Sequence, residues 1–223
     1  TGNGIMHHLR YQTKSQPELI LNLFQHGLIE KGVNITDGGA NYYNMCVDGS
    51  GIAVVADSFA ACEQRIDREH RLTYPELTAQ LRADFAGVPG EAVRQMLLHS
   101  ERYGGGDTLG DRWARKINEC YTELVRDLCR QHPGINFIPG YFSWSNTILL
   151  GKAVHATPNG RRAGEPINHG ANPNGGFRSD GAVSAMCNSI AAIQPGYGNC
   201  APVQLELDPG IANDAEGIDK MAD

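Results

Sequence analysis

Two adjacent arginines and a glutamate, Arg161, Arg162 and Glu165, are the residues with the clearest potential for chemistry, and they directly follow a turn. Residues 157–160 (TPNG) have proline at the second position and glycine at the fourth, which is typical of a reverse turn. Guanidinium groups keep their charge near neutral pH and offer several donors, so the pair could clamp a carboxylate or a phosphate. Alternatively, the arginines form an ion pair with Glu165 or another acidic side chain and brace the loop.

The histidines and cysteines do not have the spacing of a metal site. None of the 8 histidines falls in an H-x-x-x-H or H-E-x-x-H pattern, and the 6 cysteines contain no C-x-x-C. The wide cysteine spacing fits neither a small disulfide framework nor a zinc ribbon. We therefore expect reduced thiols and no bound metal.

Two glycine-rich segments, residues 104–107 (GGGD) and 196–199 (GYGN), have the composition of phosphate loops. Neither is predicted to follow a strand and open a helix in a G-x-G-x-x-G or G-K-[ST] pattern. Phosphate binding by these loops is therefore not predicted.

The elements that must position these residues are mostly helices. Apolar residues recur at helical spacing, with start and stop signals, in five segments, which are residues 18–31, 73–85, 91–100, 109–131 and 182–193. Thr73 has the pattern of an N-cap, Gly32 that of a helix stop, and residues 215–222 that of an unfinished amphipathic helix.

Strands are predicted in fewer places. Residues 34–51 are predicted to be a loop or a short strand, and residues 52–55 then lead into a helix that begins near Ala56 or Asp57, with Asp57 as its cap. The β-prone run at residues 141–150 predicts a strand, and a short one is expected at 203–207. A loop of about thirty residues follows the strand at 141–150. Loops of that length are usually functional or packed against another segment.

Composition and charge exclude several classes of protein. The 223 residues are 41% hydrophobic and 20% charged, which is ordinary for a globular domain. With 19 basic and 25 acidic residues the net charge is −6, and no basic cluster beyond the arginine pair favours nucleic acid or an anionic membrane. Because no apolar run approaches the length of a membrane span, we expect a cytoplasmic protein.

Residues 151–173 (GKAVHATPNGRRAGEPINHGANP) resemble the T-P-D-G-R-R-A-G-E-P segment of the glycyl radical enzymes, with Asn159 in place of aspartate. This family includes pyruvate formate-lyase and the radical diol dehydratases. Residues 38–42 (GGANY) and 51–61 (GIAVVADSFAA) are similar to two further family segments in the same order. Residues 94–107 resemble a fourth, although Gly105 and Gly106 depart from its Y-G-N-D-D pattern.

The resemblance implies a helix-rich α/β fold, namely part of the second half of the ten-stranded β/α barrel of the glycyl radical enzymes. Residues 1–223 are then expected to be a single fragment of this barrel domain, truncated at both ends. In the family the thiyl cysteine lies upstream of this region and the radical glycine downstream. The resemblance therefore implies no catalytic radical residue in this chain.

The resemblance also implies partners and a cofactor. The full-length protein is expected to carry a glycyl radical installed by a radical-SAM activating enzyme, to form a homodimer and to act on a small-molecule substrate. This chain would contribute barrel wall and part of the pocket, and would be inactive alone.

In the family, the strand before this motif lines the inside of the barrel. The resemblance therefore implies a set of substrate-binding residues, which are Tyr141, Phe142, Ser143, Trp144 and His169. Alternation sends either the odd or the even strand residues inward, and the sequence does not choose between them. A structural strand packed on both faces is the alternative.

Other residues have two competing interpretations each. His169 lies in a glycine-bordered loop where members often have aspartate or serine, so it is a candidate for proton transfer or substrate binding, against a simple loop hydrogen bond. Cys46 has either a chemical role or a packing role, and the other cysteines are expected on helices in the core. Because members with different substrates share the arginine segment, bracing by Arg161 and Arg162 is favoured over substrate recognition.

The reaction is left open by the motifs. Residues 38–42 favour the dehydratase and eliminase members, whereas residues 170–173 (GANP) favour the formate-lyase type. A different class of protein is the main alternative, a noncatalytic half-barrel scaffold or split-subunit module. A metal hydrolase is a weaker third hypothesis.

Overall fold

The computed structural model describes residues 2–142, 146–176, 182–193, 200–205, 209–213 and 215–222. Helices dominate this part of the chain, and in order they are α1 (Gly2–Ser15), α2 (Leu21–Phe24), α3 (Leu28–Lys31), α4 (Ile52–Cys62), α5 (Tyr74–Arg82), α6 (Gly87–Leu98), α7 (Leu109–Gln131), α8 (Asn146–Lys152), α9 (Ala182–Ala192) and α10 (Ala215–Ala222). The strands β1 (Asn44–Gly49) and β2 (Asn136–Tyr141) form a two-stranded sheet.

The two strands run parallel. The Asn136 amide donates to the Tyr43 carbonyl at 2.9 Å, and six residues later the Phe142 amide donates to the Gly49 carbonyl at 3.2 Å. Parallel strands cannot be joined by a tight turn and need a crossover connection. Helices α4 to α7 provide it here, which is the connectivity of a β/α fold.

The described residues divide into two compact units. The first comprises residues 2–48 and 119–140, and its core is formed by Val47 from β1, Val125 from α7 and Phe137 from β2. Phe137 has no exposed surface. Side chains from α1, among them Ile5 and Met6, cover this core.

The second unit comprises residues 49–118 and the described residues of 141–193 and 200–222. Its main apolar cluster is built from α4, α5, α6 and their connections, and consists of Ala61, Ile66, Leu72, Leu77, Phe85, Leu97 and Ala156. Phe85 and Leu97 are completely buried, and burial of a side chain of this size contributes about 1.5–3 kcal/mol. This cluster fixes the helices that carry the motif residues.

Several sequence predictions are confirmed. Helix α5 begins after Thr73, whose hydroxyl accepts from the Glu76 amide while the Glu76 carboxylate accepts from the Thr73 amide. These reciprocal bonds form a capping box. The helices at 109–131, 182–193 and 215–222 are also present, as α7, α9 and α10.

The helix predicted at residues 18–31 is wrong as a single element. The structure has two single-turn helices, α2 and α3, separated at Gly27, which has a φ of 79°. A left-handed glycine ends helical geometry, and the predicted stop at Gly32 is a second one, with a φ of 62°. Leu23 and Phe24 are 66% and 76% exposed, whereas Leu28 is buried, so the described residues cover only part of the apolar stripe.

The short strand expected within residues 34–51 is present as β1, whereas the helix predicted to begin near Ala56 or Asp57 begins earlier, at Ile52. Asp57 therefore lies in the helix interior and does not cap it. The helix predicted at 91–100 begins earlier, at Gly87, since Pro89 is accommodated in its first turn.

The strand predicted at residues 141–150 is largely wrong. The strand β2 ends at Tyr141, and residues 146–152 form α8. In α8 the Gly151 backbone approaches the next loop so closely that a Cβ there would lie 2.3 Å from the Glu165 carbonyl oxygen, so tertiary packing overrides the local β-propensity. The described residues of the strand expected at 203–207, namely 203–205, are not a strand.

Candidate functional site

The guanidinium group of Arg161 braces the loop that contains this residue. Arg161 is 7% exposed, and it donates to the carbonyls of Glu165 at 2.6 Å, Val154 at 3.1 Å and His155 at 2.5 Å. Burial removes the guanidinium from water, which is unfavourable for the charged form and lowers the pKa of this group. The three carbonyls offset part of that cost and close the loop around the side chain.

Arg162 ties the same loop to α6 and to the turn before it. Its guanidinium donates to the Glu91 carboxylate at 2.7 Å and to the Asp84 carbonyl at 2.6 Å. The Glu165 carboxylate accepts from the Arg162 amide at 2.9 Å. The predicted bracing role is confirmed, with Glu91 rather than Glu165 as the ion-pair partner.

Asp57 and Arg102 form the buried polar centre of the second unit. Their side chains are 1% and 6% exposed, and Arg102 Nη1 lies 3.0 Å from Asp57 Oδ2. The Asp57 carboxylate also accepts from the Tyr103 amide at 2.8 Å and from the Asn174 side chain at 2.6 Å. Arg102 Nη2 donates to the Asn159 carbonyl in the motif turn at 2.9 Å.

This network has an electrostatic consequence. Burial raises the pKa of the Asp57 carboxyl, while Arg102, the Tyr103 amide and the Asn174 amide oppose that rise. The arrangement joins α4 to the motif turn and to the loop at residue 174. It thereby fixes two parts of the long loop to one buried ion pair, Asn159 to Arg102 and Asn174 to Asp57.

Tyr103 holds the loop that contains His169. Its hydroxyl lies 2.9 Å from the Ala171 carbonyl and 3.1 Å from the Ser189 carbonyl, and the side chain has no exposed surface. Burial raises the pKa of this hydroxyl, so it remains a donor. The Tyr103 hydroxyl thus links the loop that contains His169 to α9.

Two of the predicted substrate-binding residues lie at the end of β2. Tyr141 is 4% exposed, and its amide donates to the Cys200 carbonyl at 2.8 Å. Phe142 is half-buried, and its carbonyl accepts from the Ser50 hydroxyl at 2.9 Å. Ser143 and Trp144 lie outside the described residues.

His169 lies in a loop that also contacts the segment at residues 200–204. Its carbonyl accepts from the Asn172 amide at 2.8 Å, and the neighbouring Ala171 amide donates to the Pro202 carbonyl at 2.9 Å. Since Cys200 contacts Tyr141 and Pro202 contacts Ala171, one segment joins the end of β2 to the His169 loop. The structure therefore brings both predicted parts of the site to the same segment.

The backbone amides of the glycine-rich segment at 104–107 donate to the side chain of Asp111. The amides of Gly104 and Gly106 donate to the Asp111 carboxylate at 2.7 and 2.8 Å. Thr108 donates to the same carboxylate through its amide and its hydroxyl. The donors are used for structure, in agreement with the prediction, whereas residues 196–199 lie outside the described part.

The cysteines are more exposed than predicted. Cys120 and Cys187 lie on the exposed faces of α7 and α9, not in a core, and Cys46 is also exposed. Desolvation and the nearby Asp48 raise the pKa of the Cys46 thiol, which disfavours a thiolate there. Across the described ranges, no cluster of three or more histidine, cysteine, aspartate or glutamate residues could hold a metal ion.

Two cavities lie in the second unit. The larger, of about 810 Å³, is lined by polar groups from α6, the motif turn and residues 174–176. The smaller, of about 360 Å³, is mainly apolar and is lined by Val55, Phe59 and Cys62 from α4 together with Pro158 and Ile167. No described helix is both long enough and apolar enough to cross a membrane.

Sequence reasoning missed Asp57, Arg102 and Tyr103 as the centre of the site. One signal was available, because an aspartate inside the apolar run at residues 52–61 must be exposed or paired. The choice of Arg102 as its partner depends on a contact between residues 45 positions apart, which no local pattern indicates.

Comparison with known proteins gives consistent matches. A family model described as pyruvate formate lyase-like matches residues 2–151. The chain is 27% identical over 176 residues to isethionate sulfite-lyase from Oleidesulfovibrio alaskensis, which covers 77% of this chain and 20% of that protein.

Solved structures agree with the sequence matches. A structure concerned with 1,2-propanediol dehydration in Roseburia inulinivorans matches with a TM-score of 0.82 and 26% identity over 96% of this chain and 28% of that one. A glycyl radical enzyme from Archaeoglobus fulgidus matches with a TM-score of 0.77 and 27% identity, covering 96% of this chain and 27% of that one. The predicted resemblance and the predicted fold, a helix-rich part of the glycyl radical enzyme barrel, are confirmed.

Proposed function

Because the chain belongs to the pyruvate formate lyase-like family, we propose that it is part of a glycyl radical lyase or dehydratase that cleaves a C–C or C–heteroatom bond. The observation that carries this proposal is the family match over residues 2–151. The chain spans about a fifth to just over a quarter of the relatives' length, so the activity of a whole protein is inferred from them.

The glycyl radical of such an enzyme would supply, through a cysteine thiyl radical, the ability to remove a hydrogen atom from a small-molecule substrate. We assign neither radical residue to this chain, and a radical-SAM enzyme is the proposed activating partner. The chain's own contribution is barrel wall and pocket. A cytoplasmic homodimer is the proposed form of the whole protein.

Within this chain, the substrate-facing residues are proposed at the end of β2 and in the His169 loop. Two contacts support this placement, the Tyr141 amide to Cys200 and the Ala171 amide to Pro202, because they tie both parts to one segment. Of the two described strand residues, Phe142 retains exposed surface and Tyr141 is buried. Phe142 is therefore the better candidate for substrate contact, and Tyr141 for supporting the wall.

The test is anaerobic activation of the whole protein in which this chain occurs. A radical-SAM activase should produce a glycyl radical signal in electron paramagnetic resonance, and isethionate and 1,2-propanediol are the first substrates to assay. Phe142→Leu should raise KM or change substrate preference, whereas the matched substitution Phe24→Leu, at an exposed residue of α2, should not.

A noncatalytic scaffold is the competing function, and the same experiment separates it. If the whole protein lacks both radical loops and gives no radical signal, the lyase proposal is wrong. Purified residues 1–223 alone should show no turnover under either proposal.

A further inference from the structure

The larger polar cavity of the second unit is separate from the residues assigned to substrate. It has a volume of about 810 Å³ and lies between α6, the segment at residues 98–108, the motif turn and residues 174–176. Three arginines, Arg94, Arg102 and Arg161, line it. The lining also includes the carboxylates of Glu101 and Glu165 and the apolar residues Leu98 and Pro166, and its guanidinium groups are the part that favours small anions.

We propose that this cavity is a binding site for a small oxyanion, either a carboxylate or a phosphate-type anion, held by the guanidinium groups of Arg94 and Arg161. The third arginine of the lining, Arg102, is paired with Asp57, and the carboxylates of Glu101 and Glu165 also line the cavity. The two arginines are distinguished by the way their charges are compensated.

Arg161 is a buried cation without an ion-pair partner in the described part of the chain. Its three hydrogen bonds all end on backbone carbonyl oxygens, and its Nε–H has no acceptor. A buried charge is costly unless it is paired, and neutral carbonyls compensate it only partly. The Glu165 and Asp84 charges favour the charged form of Arg161 without forming an ion pair with it, and an oxyanion in the adjoining cavity would add a direct partner.

Arg94 is compensated only in part. It donates to Glu91 at 3.0 Å, but the same carboxylate also pairs with Arg162 at 2.7 Å, so one negative charge serves two guanidinium groups. Among the residues that the structure describes, the Arg94 Nε–H is a second buried donor without an acceptor. Arg102 differs, because Asp57 neutralises it at 3.0 Å.

The two carboxylates that line the cavity accept hydrogen bonds from backbone amides and keep their negative charge. Glu101 accepts from the Leu109 amide at 2.6 Å, and Glu165 accepts from the Arg162 amide at 2.9 Å. Their negative charges therefore stabilise backbone donors at the start of α7 and in the motif loop. Thr108 and Asn174 add hydroxyl and amide groups to the lining.

Anion binding can be measured on this chain directly. We would titrate it with phosphate, sulfate and propanoate by isothermal calorimetry at constant ionic strength, with chloride as the balancing anion. We expect saturable binding of at least one oxyanion, weakened at least tenfold by Arg94→Gln. The matched variant Arg82→Gln, at an exposed position at the end of α5 outside the cavity, should bind as the parent does.

Resonances of the arginine Nε–H groups provide a measurement that needs no variant. Bound oxyanion should shift the signals of Arg94 and Arg161, while the Arg82 signal stays in place. Preference for propanoate indicates a carboxylate ligand and preference for phosphate or sulfate a phosphate-type ligand, and either supports the proposal.

Two results would overturn the proposal. One is the absence of saturable binding beyond the chloride control. The other is binding that Arg94→Gln leaves unchanged, or that shifts neither guanidinium signal. Because these measurements need no radical, they fail or succeed independently of the proposed lyase activity.

Discussion

The Arg102 guanidinium lies 3.0 Å from the Asp57 carboxylate, and both side chains are almost completely buried. The pair connects the middle of α4 to the segment that begins at Arg102. Arg102 donates to the Asn159 carbonyl and Asp57 accepts from the Asn174 side chain, so the pair holds two parts of the long loop. Because both charges are buried, each depends on the other for compensation. Removal of one partner should therefore cost more than the loss of a single hydrogen bond.

Asp57→Asn should lower the free energy of unfolding by about 3–5 kcal/mol, since it leaves the Arg102 charge buried without a counter-ion. Urea denaturation followed by circular dichroism measures this change. Glu123→Gln is the matched control, because it breaks only exposed ion pairs on α7 and should lower the free energy of unfolding far less. Equal losses in the two variants would contradict the structural role of the buried pair.

Gly110→Ala should destabilise the chain because there is no room for a methyl group. A Cβ at this position would lie 2.1 Å from the Tyr103 amide nitrogen and 2.3 Å from the Arg102 carbonyl carbon. Displacing backbone atoms in a packed region costs about 1–3 kcal/mol. The change appears as a lower urea midpoint.

Gly4→Ala is the control for this substitution. Gly4 lies in α1, where an added methyl group would meet no neighbouring atom within 4 Å, and alanine is favoured over glycine in helices by about 1 kcal/mol. This variant should be neutral or more stable. If Gly110→Ala behaves in the same way, the close approach at Tyr103 is not present in solution.

The capping box of α5 should make stability depend on acid pH. Hydrogen bonds from the Thr73 side chain and backbone lower the pKa of the Glu76 carboxyl. A folded-state pKa below the unfolded value of about 4.3 contributes stability that is present above that value and is lost as pH falls through the folded-state value. The stability difference between the parent chain and Glu76→Gln should therefore shrink as pH falls from about 6 to 3.

Chemical denaturation at a series of pH values checks the capping-box prediction. Glu119→Gln, at an exposed position of α7, is the matched control and should leave the shape of the stability profile unchanged. A parent-to-variant difference that stays constant across the acid range would show that the Glu76 carboxylate does not act through its charge.

Cys62 should be the least reactive of the thiols on described helices. It lines the apolar cavity beside Val55 and Phe59, and burial, followed by the nearby Asp67 charge, raises its pKa to about 11. The reactive species is the thiolate, which is then only about one part in a thousand at pH 8. Alkylation with iodoacetamide followed by mass spectrometry should label Cys120 and Cys187 first.

Alkylation should proceed in a fast phase and a slow phase, and single-cysteine substitutions show which residue accounts for each phase. Cys62→Ala should remove only a slow phase, and Cys120→Ala only a fast one. Rapid labelling of Cys62 at pH 8 would mean that the cavity is open to solvent and that the thiol is not desolvated.

Local signals are sufficient for the helices whose ends are set by neighbouring residues. The start of α5 is predictable from Thr73 and Glu76 because both partners of the capping box lie within four positions. The strand prediction at 141–150 fails for the opposite reason. The helix there depends on packing of Gly151 against the Glu165–Pro166 backbone, which is not visible in the β-prone residues themselves.

The candidate site is predictable only where chemistry is local to a motif. The bracing role of Arg161 follows from a turn and a nearby carbonyl, that of Glu165, four residues away. The Glu91 partner of Arg162 is 71 positions distant, and Asn174, which contacts Asp57, is 117 positions distant. Family resemblance supplies the fold, but these pairings require the three-dimensional structure.

The parallel pairing of β1 with β2 has a consequence for synthesis on the ribosome. Asn44 and Asn136, whose side chains are joined across the two strands, are 92 residues apart. At a synthesis rate of about 5–20 residues per second, β1 leaves the ribosome roughly 5–18 s before its partner exists. During that interval the backbone hydrogen-bonding groups along the edge of β1 are unpaired and can associate with other chains. We therefore expect a nascent-chain chaperone to bind at β1.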